Sequence, residues 1–141
     1  MLYREASSED VPRLAALNAQ LIQDEGHRNS MTVVQLEDRI REWLLSGEYQ
    51  ALLWEDNVEV VAYALFRDTA TEVYLRQFFV VRHRRREGLG RQAIEALRTQ
   101  VWSRHKRWTV SVLVQNAPAV AFWRALGYTD YALTLEIMPQ A

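Results

Sequence analysis

Apolar residues recur at helical spacing in two early stretches. Val11, Leu14, Leu17, Leu21 and Ile22 form one stripe, and Val33, Leu36, Ile40, Trp43 and Leu44 form a second. Residues three, four and seven apart share one side of an α-helix, so each stripe predicts a helix with one buried face. Ser7 and Asp10 have capping-box spacing before the first, and Pro12 is tolerable only close to such a start. Gly26 is its stop signal. Thr32 and Gln35 repeat the capping-box spacing before the second helix, which Gly47 ends.

Elsewhere the pattern shifts to short runs rich in β-branched and aromatic residues. Leu2 to Glu5 reads as a short strand. Tyr49 to Trp54 and Val58 to Arg67 flank the turn-rich Glu55-Asp56-Asn57, a hairpin pattern. Val73 to Val81 is a further strand. A charged loop over Arg82 to Gly90 follows. Helical spacing then returns in Leu89, Ala93, Leu97 and Val101, with Arg91, Glu95 and Arg98 off the stripe. Trp108 to Val114 reads as a buried strand. Pro118 to Ala125 reads as a short helix that stops at Gly127, and Tyr131 to Met138 as a final strand. The order is β-α-α-β-β-β-α-β-α-β. The strand–helix–strand from Val73 to Val114 predicts a right-handed crossover between parallel strands. With an antiparallel hairpin before it, the expected class is α/β (α+β by some schemes), a mixed sheet with helices packed on it.

The chain has 141 residues, 49% of them apolar and 25% charged. These values fit one domain over residues 1–141 with a core of its own. The formal net charge of -1 gives no overall pull toward nucleic acid or an anionic membrane, so neither is expected as a partner and any basic site is local. There is no cysteine, which excludes a disulfide framework, a cysteine nucleophile and a thiolate metal site. His27, His83 and His105 show no ligand spacing, and no metal is expected. Met1 to Glu5 lacks the apolar centre of a signal peptide. No apolar run approaches the roughly 20 residues of a membrane span. The expected compartment is the cytoplasm.

The most informative segment joins the third long strand to the third helix: Phe78-Phe79-Val80-Val81-Arg82-His83-Arg84-Arg85-Arg86-Glu87-Gly88-Leu89-Gly90. Helix starts carry unpaired N–H groups and a partial positive charge. Glycines let a bulky anion approach those amides, and arginines add bidentate phosphate donors. The pattern suits a pyrophosphate. A Walker A loop is excluded, because Gly-Lys-Ser/Thr is absent. Gly88-x-Gly90-x-x-Ala93 matches a variant dinucleotide fingerprint. However, the acid expected about 20 residues on is missing, since Trp108 and Thr109 stand there.

Arg85-x-x-Gly88-x-Gly90 after an apolar strand resembles the Arg/Gln-x-x-Gly-x-Gly/Ala motif of the GNAT acetyltransferase superfamily. Asn116-x-x-Ala119-x-x-Phe122-Trp123-x-x-x-Gly127-Tyr128 resembles that family's Asn-x-x-Ala-x-x-Leu-Tyr-x-x-x-Gly-Phe block. The two lie in the family's order and together span Val73 to Tyr128. Taken alone, Asn116 reads as a helix cap and Phe122-Trp123 as core. The resemblance implies a mixed, mostly antiparallel sheet with splayed parallel central strands and helices on both faces. It also implies acetyl-CoA as co-substrate, held by Phe79, Val80, Val81, Arg85, Arg86, Glu87, Gly88, Leu89, Gly90, Asn116 and Trp123. The acetyl group would pass by direct attack in a ternary complex to a primary amine of a small molecule or peptide.

Two departures from the family pattern bear on chemistry. The family's tyrosine proton donor aligns with Trp123, whose indole cannot act as an acid near neutral pH. Tyr128 takes the place of the family's core phenylalanine. Many relatives also carry a glutamate base near the middle of the strand before the loop, where this chain has Arg76 and Gln77. These two either sit on a solvated strand face or line the acceptor site. Asp24-Glu25-Gly26-His27-Arg28-Asn29, between the first two helices, offers Glu25 and His27 as proton acceptors on the acceptor side. The alternative function is a non-catalytic acyl-CoA-binding or sensing domain. The chain could also pair as a homodimer.

Overall fold

Two capping boxes form as spaced, with different results. The Thr32 hydroxyl accepts from the Gln35 amide at 3.2 Å, and the Gln35 side chain accepts from the Thr32 amide at 2.8 Å. Both bonds satisfy donors that a helix start leaves unpaired, and α2 runs from Val33 to Ser46. The Ser7 amide donates to the Asp10 carboxylate at 2.8 Å, but this box caps a single 3-10 turn over Ser8–Asp10. Helix α1, Val11–Glu25, follows it, with Pro12 in the first turn where its missing N–H costs nothing. The computed structural model describes every residue from Met1 to Ala141.

Five strands make one sheet in the order β1 (Leu2–Glu5), β2 (Gln50–Asp56), β3 (Glu59–Asp68), β4 (Glu72–Val80) and β5 (Arg107–Val110). The first three pairings are antiparallel, and β4–β5 is parallel. Helix α3 is Leu89–Ala96 and α4 is Ala117–Ala125. The sheet is therefore mixed and mostly antiparallel. Gln77 bonds to Asn18 of α1, while its neighbour Phe78 stacks on Phe122 of α4. Successive strand residues face opposite ways, so α1 and α2 cover one face and α3 and α4 the other. Ala51 to Trp54 and Val61 to Phe66 are buried throughout, the unbroken apolar run of strands covered on both faces.

Two irregularities shape the middle of the sheet. Leu65 pairs with Gln77 but Phe66 pairs with Leu75, which leaves Arg76 as an extra residue on β4. Such a bulge re-aims a side chain. Here it brings Arg76 to the α2 side, over Trp43 and Tyr49, beside the inward-facing Gln77. The second irregularity is the short β4–β5 ladder, which runs only from Glu72↔Arg107 to Leu75↔Val110. Beyond the bulge, β4 has no strand on that edge.

Three expectations need correction. The strand expected over Trp108 to Val114 ends at Val110 and is only half-buried, because its partner edge is lost at the bulge and a turn from Leu113 to Asn116 leads into α4. The helix expected through Val101 ends in a π-helical turn over Leu97–Val101. The Trp102 amide closes that wide turn on the Leu97 carbonyl at 2.7 Å, as its ring packs edge-on to Phe66. Tyr131 to Met138 forms no strand. Its carbonyls and amides join no ladder, and Tyr131, Leu133, Leu135 and Ile137 are 84%, 66%, 83% and 88% exposed. Side chains alone hold it: Arg107 lies over the Tyr131 ring, and Arg28 pairs with Glu136 at 2.8 Å.

Candidate active site

The turn after β4 is built from backbone. A 3-10 turn covers Arg82–Arg84, Arg86 is left-handed at φ 66°, and Gly88 caps α3 at φ 78°. The amides of Arg86, Glu87 and Gly88 have no hydrogen-bond acceptor in the chain. The first turn of α3, starting at Leu89, adds its own free N–H groups and the partial positive charge of a helix start. Amides gathered this way form an anion-binding concavity.

The two glycines serve different ends. A Cβ on Gly88 would meet nothing within 4 Å, whereas one on Gly90 would lie 3.4 Å from the Phe122 ring and 3.6 Å from Val80. Gly88 is thus required by its backbone and faces open space. Gly90 lets α3 approach β4 and α4.

Most of the loop's cations are already paired. Arg82 and Arg85 each bond Asp24 at the end of α1, at 2.7 Å. Arg85 also donates to the Val80 carbonyl at 2.9 Å and stacks over Phe79. Arg84 contacts Asp56, Glu59 and Glu87, and His83 reaches Glu59. The Arg82 bond, ahead of that from Arg85, holds the Asp24 carboxyl below its usual range. Arg86 is exposed and makes no ion pair. So the arginine run first pins the end of α1 to the end of β4, and only Arg86 stands free beside the open amides.

The gap between β4 and β5 begins at this loop and runs down to Leu75. The Val81 amide donates to the Val61 carbonyl at 2.9 Å. Antiparallel strands alternate the side to which their N–H groups point. The Phe79 amide therefore also points to β3, while those of Phe78 and Val80 point into the gap. Below it, Trp123 is 9% exposed and packs against Phe78, Phe122 and Tyr128 with ring centroids 5.8, 4.9 and 5.5 Å away. Asn116 caps α4 by accepting from the Ala119 amide at 3.3 Å. Burial raises the Tyr128 phenol above its ordinary pKa, offset by Arg98.

On the α1–α2 face, a polar chain crosses the core. The Tyr63 hydroxyl donates to the Gln77 side chain at 2.9 Å. The Gln77 amide donates to Asn18 at 3.4 Å, and Arg39 donates to the same oxygen at 3.3 Å. Asn18, Tyr63 and Gln77 are 2%, 1% and 7% exposed, so their mutual bonding offsets the cost of burying them. Burial raises the Tyr63 pKa strongly, with the Glu25 carboxylate adding to it. Glu25 is itself half-buried, without a hydrogen-bond partner, and burial raises its pKa against the pull of His27. His27 is exposed. Arg76 and Gln77 thus both lie on the α1–α2 face, and the Glu25 charge acts on Tyr63 there. Asn18, Tyr63 and Arg39 were not singled out by sequence. Asn18 had a signal, a polar residue within the apolar stripe of α1.

The arrangement joins an amide-lined anion site, a strand edge with free donors, and a carboxylate of raised pKa across the sheet. No group of three or more His, Cys, Asp or Glu could hold a metal ion, and no helix is long and apolar enough to cross a membrane. Solved structures share the fold. A tetramutant of a Bacillus halodurans protein aligns with TM-score 0.80 and 22% identity, over 99% of this chain and 100% of that one. An aminoglycoside antibiotic 6'-N-acetyltransferase from Acinetobacter haemolyticus aligns with TM-score 0.78 and 16% identity, over 100% and 99%. A Clostridium acetobutylicum predicted acetyltransferase, solved with acetyl-CoA, aligns with TM-score 0.73 and 17% identity, over 97% and 95%. No curated protein sequence matches the chain. The sequence matches the acetyltransferase (GNAT) family over residues 17–128, which covers the loop, the gap and the polar face together, and the chain belongs to that family.

Proposed function

We propose that the chain moves the acetyl group of acetyl-CoA to a primary amine by direct attack, with Glu25 taking the amine's proton. The observation that carries this reading is the unpaired edge of β4 running from the bulge to the open loop amides. The amides of Arg86, Glu87 and Gly88, with the Arg86 cation, suit a pyrophosphate. Phe78 and Val80 would offer N–H donors to the pantetheine arm and to the thioester oxygen. Acetyl-CoA would supply the acetyl thioester. Overall the amine exchanges one N–H hydrogen for the acetyl group, the C–S bond breaks, and that hydrogen ends on the thiol.

An ammonium must lose a proton before its nitrogen can attack. Glu25 is a fitting acceptor, because burial raises its pKa toward the working range of a general base. Trp123 serves as a wall beneath the gap, and water or the acetylated nitrogen itself supplies the thiol's hydrogen. His27 remains a second candidate at the mouth. A sensing role that needs no chemistry would leave the half-buried, unpartnered Glu25 without a purpose. Thiol release from acetyl-CoA, measured over a panel of amines, tests the reading. Amine-dependent release that falls in Glu25→Gln supports it. Tight acetyl-CoA binding with no release for any amine would favour the non-catalytic, acyl-CoA-sensing alternative. The work would take place in the cytoplasm, where acetyl-CoA is made and used.

We also propose that the chain pairs with a second copy of itself. Tyr131 to Met138 is an apolar-alternating segment without a ladder, and β5 has a free outer edge; a second copy satisfies both at once. Light scattering should show a dimer that becomes a monomer on truncation after Thr129. A monomeric full chain would refute it.

A further inference from the structure

Two guanidiniums share one indole on the α1–α2 face. The central carbons of Arg39 and Arg76 lie 4.6 and 4.8 Å from the centroid of the Trp43 ring. Nearby arginines are neutralised: Arg41 pairs with Asp38 and Arg67 with Glu48. Neither Arg39 nor Arg76 has a carboxylate within reach. Arg39 spends one nitrogen on Asn18 at 3.3 Å, and its Nε is buried with no partner at all. Arg76, which the bulge turns to this side, has only the Tyr49 hydroxyl at 3.3 Å. Burial weakens the hold of Arg39 on its proton, and the charge of Arg76 adds to that.

Like charges held together without a counter-ion are costly, and an orphaned buried donor adds to the cost. Aromatic faces attract cations but do not neutralise them. A carboxylate would do so. The planar fork of a guanidinium matches its two oxygens, and Arg76 is exposed, so the place is open to a ligand. At the other end of the same face stands the unpartnered Glu25 carboxylate. It lies two turns along α1 from Asn18, about 10 Å away on the same side of the helix. The face thus has a cationic end and an anionic end, joined by Asn18 and Gln77.

We propose that the acceptor is a small amine carrying its own carboxylate, of the amino-acid kind, with Arg39 and Arg76 holding the carboxylate and Glu25 facing the amine. The inference rests on the acetyltransferase reading and names its acceptor class. It is tested with matched amines long enough to span the face and differing only in the carboxylate: lysine against cadaverine, and 6-aminohexanoate against pentylamine. For the wild type, kcat/KM from thiol release should be about tenfold or more higher for the carboxylate member, the worth of one charge-assisted contact. Arg76→Gln, at an exposed position, should raise KM for that member by a similar factor and leave its partner unchanged, and Arg76→Lys should recover part of the loss. Equal use of both members, or an equal loss for both, would overturn the proposal. So would a preference for phosphoethanolamine over every amino acid. If no amine is acetylated, the acetyltransferase reading fails but the anion site is still read directly. The Trp43 indole N–H signal, assigned with Trp43→Phe, should then shift saturably with lysine or 6-aminohexanoate, and not in Arg76→Gln. An unmoved signal in the wild type would refute the site.

Discussion

Gly88 and Gly90 stand two residues apart in one motif, yet substitution should act on them in opposite ways. Gly88 has φ 78°, a region that costs an L-residue about 1–2 kcal/mol. Gly88→Ala should destabilise the chain by about that much, and its methyl would stand in open space outside the loop, where the coenzyme's phosphates would approach. Gly90 sits in the first turn of α3 with an ordinary φ. Its new Cβ would touch Phe122 at 3.4 Å, which is close contact without overlap. Alanine also gains up to about 1 kcal/mol over glycine inside a helix. Gly90→Ala should therefore be neutral or mildly stabilising and keep acetyl-CoA affinity. Gly90→Val would drive two methyls toward Phe122 and Val80 and lose about 1–3 kcal/mol to overpacking. Urea midpoints give the stabilities, and calorimetric titration with acetyl-CoA gives the affinities. If Gly90→Ala, still folded, weakens binding as much as Gly88→Ala does, the assignment of an inward Gly90 and an outward Gly88 is wrong.

Other perturbations separate the remaining roles. Arg86→Ala should weaken acetyl-CoA binding by about 1.5–3 kcal/mol, the range for hydrogen bonds to charged groups; Arg85→Ala should lose less, since Arg85 already serves Asp24 and Val80, and a larger loss at Arg85 in calorimetry would reverse their order. Glu25 has a raised pKa, so the stability it contributes is present below its ordinary value of 4.5 and is lost as pH rises through its folded value. Glu25→Gln should accordingly raise the melting temperature at neutral pH and not at pH 4; a fall at neutral pH would mean that the carboxylate has a stabilising partner. Trp123→Ala should cost about 3–5 kcal/mol as a core truncation. Trp123→Phe should retain most turnover, and a fall of about a hundredfold with acetyl-CoA affinity intact would make the indole N–H part of the chemistry.

What could be read in the sequence was local. Thr32 with Gln35, the Asn116 cap and the Gly88–Gly90 turn depend on residues a few places apart, and each forms as its spacing suggests. Arg76 and Gln77 were visible as an oddity in an apolar strand. Why both turn to one side was not, because the bulge exists only in the register of β4 against β3. Arg39 lies off the apolar stripe of α2, and only packing places it beside Trp43 and Arg76. The loop arginines read as phosphate donors, yet Arg82 and Arg85 find Asp24, a partner 58 and 61 positions away in the chain. Strand length was the least legible feature. Trp108 to Val114 and Tyr131 to Met138 have strand-forming residues throughout, but a strand also needs a partner edge, and no property of the segment itself supplies one.

The most direct measurement is mass spectrometry of the products after the purified chain, acetyl-CoA and an amino acid are mixed, in wild type and in Glu25→Gln. The account predicts one N-acetylated amino acid for each coenzyme A thiol released, no acetyl group left on the chain, and a Glu25→Gln enzyme that has lost the acidic limb of its pH–rate profile, the rise in rate as the base ionises. Thiol release with the acetyl group found on the protein, or release that proceeds equally without any amine, would contradict direct transfer across this face.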